Sequence, residues 1–185
     1  MEVAEYIQLK AFARVDGALL ALLWIGCFAC YVMGLTNPLY TMAALTLMVI
    51  TPFYVARRLR RFRDESRGGV ISFRRSWAYV VLVFFYGAVL LAVAQYLYFA
   101  YMDNGYLLGA LTKALETPEG RKMVEHYGMQ QTLTESIDSM RQMRPIDYAL
   151  NILTMNIMTG IVLGVPIAAV MKNSLPPTPS NGKGS

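Results

Sequence analysis

Charge is scarce in this sequence: only 16% of its 185 residues are Asp, Glu, Lys or Arg, against about 25% in ordinary soluble domains. Histidine occurs once, as His126, and cysteine twice, as Cys27 and Cys30. A metal site normally draws on three or four N, S or O ligands, so a lone imidazole excludes the common histidine-rich sites. Two cysteines cannot build a disulfide framework. No HExxH, phosphate-binding glycine loop or Ser-His-Asp set is present, which leaves no motif for metallo-hydrolysis, nucleotide binding or acyl transfer. The chain is therefore expected to be non-enzymatic, with no cofactor and no metal. Apolar residues, by contrast, make up 56% of the chain, which rules out disorder over most of its length and points to a membrane.

Four apolar stretches are long enough to cross a bilayer, at about residues 17–34, 38–56, 76–102 and 148–171. Backbone amides in lipid must be satisfied within their own segment, so each stretch reads as a helix. The expected fold is all-α and polytopic: four transmembrane helices, with a short amphipathic helical segment outside the membrane between the third and fourth. Residues 1–172 form one membrane domain, and 173–185, with Pro176, Pro177 and Pro179, read as a flexible cytoplasmic tail. A signal peptide is not expected, because the first apolar run is too long for one and its leading residues are mixed in charge. Leu35-Thr36-Asn37 alone joins the first two spans, which makes a tight hairpin whose return helix starts at Asn37-Pro38.

Basic residues set the orientation. Twelve of the 17 Lys and Arg fall before the first span, between the second and third, or after the fourth. The other five, Lys113, Arg121, Lys122, Arg141 and Arg144, lie between the third and fourth. The positive-inside rule then puts both termini in the cytoplasm. The formal charge of +5 is confined to one face, and no soluble reader module accompanies it, so nucleic acid is not an expected partner.

Residues 103–147 are the extracytoplasmic segment, and their composition is not that of a loop. Thr117-Pro118-Glu119 reads as an N-cap with Pro at the first helical position, and Gly128 suits the end of that helix. Thr132-Leu133-Thr134-Glu135 has capping-box spacing. Leu133, Ile137, Met140 and Arg144 then share a helical face that Pro145 terminates. Two or three short amphipathic helices are expected, serving either as a lid on the bundle or as a docking surface. Asp103 and Asp147 flank them, either marking the membrane boundary or turning inward to hold a cation or to pair with Arg144.

The apolar runs contain no Asp, Glu, His, Lys or Arg, which argues against an ion-coupled transporter. Gln95, Asn151 and Asn156 are candidates for interhelical hydrogen bonds, and Gly26, Gly34, Gly160 and Gly164 for close helix packing, within the monomer or across a homo-oligomer. Cys27-Phe28-Ala29-Cys30 matches the spacing of membrane thiol oxidases but lacks their second cysteine pair, so packing is its expected role. Between the second and third spans every basic residue is Arg. Arg57, Arg58, Arg60, Arg61, Arg63, Arg74 and Arg75 are candidates for contact with anionic lipid or phosphate, beside their service as topology determinants.

The chain resembles the bacterial family labelled domain of unknown function 4199, found mainly in Bacteroidetes. The likeness is carried by the apolar hairpin, the basic connection and Gly69-Val70-Ile71-Ser72-Phe73. It continues through Gln95-Tyr96-Leu97-Tyr98-Phe99, Asp103-Asn104-Gly105-Tyr106-Leu107 and the methionines at 129, 140 and 143. The family supplies no activity and no catalytic residues. Its members tend to be encoded beside a polyprenyl-phosphate glycosyltransferase, and the resemblance thereby implies an accessory or scaffold subunit of a membrane complex. Binding or translocation of a lipid or polyprenyl phosphate is the alternative, and a thiol oxidase a third.

Overall fold

A computed structural model describes residues 3–173. The expected tail therefore lies, except for Asn173, outside the described residues. Seven helices occur among them: α1 (Val3–Gly34), α2 (Pro38–Ser66), α3 (Phe73–Tyr101), α4 (Tyr106–Glu116), α5 (Pro118–His126), α6 (Gln130–Gln142) and α7 (Pro145–Met171). Helices α1, α2, α3 and α7 are long and apolar enough to cross a membrane.

These helices overrun the apolar stretches. With 32 residues, α1 is about 48 Å long, against a hydrocarbon core of roughly 30 Å. α2 carries straight through the arginine run, because Arg is a good helix former and no Gly or Pro intervenes between Pro52 and Gly68. Val55, Leu59 and Phe62 form a fully buried stripe inside that run at helical spacing. The connection to α3 thus shrinks to residues 67–72. Gly68 (φ 59°) and Gly69 (φ 83°) take left-handed conformations there, and Gly69 N–H donates to the Arg63 carbonyl at 3.1 Å.

Contacts group the chain into two compact units, each holding a length of all four long helices. The first comprises 1–22, 49–88 and 155–185. In its core Phe62 stacks on Tyr79 with centroids 4.9 Å apart. Gly160 and Gly164 lie against Phe84 and Trp77 of α3, so the GxxxG face packs within the monomer. Gly17 is needed for the same reason, since a Cβ there would lie 2.7 Å from that of Tyr86. Beyond α7 the chain is fastened: Ile71 and Asn173 exchange backbone hydrogen bonds of 2.8 and 3.1 Å, and Asn173 Nδ2 donates to the Gly69 carbonyl.

The second unit comprises 23–48 and 89–154. Asn37 Oδ1 accepts from Leu39 N–H at 3.0 Å, capping α2 ahead of Pro38 as the sequence implies. Gly34 makes room for Thr41, whose hydroxyl donates to the Gly34 carbonyl. Phe28 meets Tyr98 edge to face, and Phe99 stacks on Tyr148 at 4.5 Å. Thr117 caps α5 through Gly120 N–H, and Gly128 ends the turn after it with φ 62°. The capping box at 132–135 does not form. α6 restarts directly after Gly128, at Gln130, so Thr132 falls inside the helix and its carbonyl accepts from Ser136.

Candidate functional site

The arginine-bearing ends of the helices hold a buried ionic cluster. Asp16 precedes the first apolar run by one residue, and an acid there is ordinarily solvated. α1 instead continues through it, with Leu9, Ala13, Leu20 and Ala21 on the buried side, and the carboxyl turns inward with the residue only 7% exposed. Arg58 Nε lies 2.7 Å from Asp16 Oδ1, and the Tyr79 hydroxyl donates to Oδ2. Arg58 also lies over the Tyr54 ring, 5.6 Å from its centroid, and the Tyr54 hydroxyl donates to the Asp16 carbonyl. Three helices thereby converge on one carboxylate. The signal available in the sequence was the pairing of Asp16 with an apolar stripe at 9, 13, 20 and 21.

A second acid gathers two more arginines. Glu5 Oε1 accepts from Arg67 at 2.9 Å, and its Oε2 from Arg75. Arg67 is the more enclosed, its side chain 11% exposed. Arg63 reaches the Met171 carbonyl at 3.0 Å and Asp64 at 2.7 Å. Of the seven arginines singled out for anionic contact, Arg58, Arg63 and Arg75 are thus turned to protein partners. Arg60 and Arg61 are exposed and pair with Asp64 and Glu65 one turn on, while Arg57 and Arg74 are exposed with no acidic partner among the described residues. Exposed pairs of this kind are worth about 0–1 kcal/mol and exchange partners readily.

The residues assigned to packing divide. Gly34, Gly160 and Gly164 meet neighbours, whereas a Cβ at Gly26 would meet nothing within 4 Å. Gln95 is buried, yet its Oε1 has no hydrogen-bond partner. Asn156 is half-buried and Asn151 exposed. Cys27 and Cys30 are free thiols, and Cys27 Sγ donates to the Ala44 carbonyl at 3.3 Å. Among the described residues no group of three His, Cys, Asp or Glu is placed to hold a metal.

In the second unit, Asp103 and Asp147 have different roles. Asp103 is buried, and its two oxygens accept from Gly105 N–H (3.0 Å) and Leu107 N–H (3.1 Å), so it holds the turn that starts α4. Asp147 pairs with Arg144 through both carboxylate oxygens and accepts from Arg144 N–H, closing the start of α7. The side-chain hydrogen bonds to Asp147 and the charge of its carboxylate hold the Arg144 guanidinium above its ordinary pKa. α4 packs on α5 and α6. α5 and α6 contain no buried residue, and Met123 and Tyr127 stay 64% and 67% exposed, with Met129 and His126 exposed beside them.

Compared with known proteins, residues 16–173 match a family model described as a protein of unknown function, DUF4199. No curated protein and no solved structure matches the chain.

Proposed function

The chain belongs to the DUF4199 family, and on that premise we propose that it is a non-enzymatic membrane subunit whose α4–α6 surface docks another membrane protein. The observation that carries this reading is the state of α5 and α6, which bury no residue and leave Met123, Tyr127 and Met129 open. Amphipathic helices with an unburied apolar side need a partner, and Met and Tyr are enriched at protein interfaces. The segment 103–147 carries seven acids against five bases, a balance that favours a protein over an anionic lipid surface. Buried or half-buried acids elsewhere have structural employment, which supports the absence of catalysis: Glu5 and Asp16 hold arginines, and Asp103 holds backbone amides.

In this reading the arginine-bearing helix ends face the cytoplasm of a bacterial inner membrane and α4–α6 face outward. The narrower version, a subunit of a polyprenyl-phosphate glycosyltransferase, rests on the family resemblance alone. Photo-crosslinking from positions 123 and 127 in intact cells tests the docking. One stoichiometric membrane-protein adduct is expected from each, and the same adduct formed from position 129 is lost when Met123 and Tyr127 are both changed to Lys in a chain that still unfolds at the wild-type temperature. No adduct from either position, or adducts spread over abundant proteins, refutes it. Unchanged polyprenyl-phosphate-sugar levels after deletion exclude the narrower version only.

A further inference from the structure

A groove of about 320 Å³ opens between α1 and α2 beside the Asp16–Arg58 pair. Its walls are Ala11, Phe12, Val15 and Phe62, and its polar side is Asp16, Arg58 and Arg61. The volume is at the lower end of small-ligand sites. We infer that this groove holds the phosphate and first methylenes of one anionic phospholipid, with Arg61 gripping the phosphate and the fixed Arg58 beside it.

Position, charge and shape each lead to that occupant. The groove residues on α1 end where the apolar run begins at 17, and those on α2 begin just after the run ends at 56. The site therefore sits at headgroup depth, with an apolar wall continuing toward the hydrocarbon. The unit that holds it carries surplus positive charge: Lys10, Arg14, Arg57, Arg74 and Lys172 have no acidic partner among its described residues, and such a surplus draws anionic headgroups. Asp16 and the Tyr54 ring fix Arg58, whereas Arg61 binds Glu65 through Nε in an exposed pair, which leaves its terminal nitrogens for a planar, two-pronged grip on phosphate. Ala11 is exposed and Val15 is 62% exposed, so the apolar wall lacks a covering among the described residues. The inference is independent of docking by α4–α6.

Native mass spectrometry of the full chain in mild detergent, titrated with phosphatidylglycerol or phosphatidylcholine of identical acyl chains, tests it. One phosphatidylglycerol is expected to bind at least tenfold more tightly than phosphatidylcholine. Arg61→Gln weakens it about fivefold, the value of one guanidinium near the surface, while Arg74→Gln, which removes the same charge outside the groove, leaves it within twofold. Val15→Trp fills the groove without touching a charge and abolishes the adduct, and Ala11→Leu weakens it if the larger substitution prevents folding. Glycerol 3-phosphate at millimolar concentration does not displace the lipid. Equal binding of the two lipids, equal loss from Arg61→Gln and Arg74→Gln, survival of the adduct in both filled variants, or displacement by the soluble phosphate overturns the proposal.

Discussion

Replacing Asp16 by Asn is the sharpest probe of the buried cluster. The amide keeps the shape and still accepts from Tyr79, but it removes the charge that faces Arg58 at 2.7 Å. At an effective dielectric constant near 20, two unit charges at that separation attract by about 6 kcal/mol. Most of this offsets the cost of bringing both ions out of water, so the pair adds little beyond what apolar residues of similar size would. Removing one member alone is different, because a guanidinium with its side chain 19% exposed is left without its counter-ion. The expected loss is about 3–5 kcal/mol, which at this chain length lowers the unfolding temperature by roughly 6–20 °C. Asp16→Leu combined with Arg58→Met should recover most of it. Thermal unfolding of the detergent-purified variants, followed by intrinsic fluorescence, reads both effects. A shift under 2 °C in Asp16→Asn, or a double variant as unstable as the two single losses added, would refute the reasoning.

Other outcomes follow from local geometry. Gly160→Val drives a side chain into Phe84 and should cost about 1–3 kcal/mol, whereas Gly26→Ala meets nothing and should be neutral or stabilising by up to ~1 kcal/mol; thermal unfolding separates them. Asp103→Ala removes the acceptor for Gly105 and Leu107 N–H and should cost about 0.5–2 kcal/mol, with faster hydrogen exchange confined to the start of α4. Gln95→Leu replaces a buried oxygen that has no donor and should raise stability by about 1 kcal/mol.

Hydropathy and turn chemistry made the long helices legible, together with the Asn37-Pro38 start and the Thr117 cap, because each depends on residues close in sequence. Counting charge does not reveal where a charge points. Asp16 and Arg58 lie just beyond apolar runs, and residues there read as solvated until the helix is seen to continue and carry them into a core. For the same reason the seven arginines formed one basic patch in sequence, while in space Arg58, Arg63 and Arg75 serve partners that lie 42, 108 and 70 residues away. The misplaced capping box shows a different limit. Thr132 and Glu135 have the right spacing, but after Gly128 the N-cap of α6 falls at Met129, three residues earlier, so the helix had no use for them.

The two-way hydrogen bonding of Ile71 with Asn173 bears on how this protein is handled. A fusion joined directly after Asn173 departs from the arginine-bearing side, beside the double-glycine reversal. A reporter fused there reads out the compartment of that side. A load hung on it tugs first on the joint between α2 and α3, where Ile71 is bonded to Asn173.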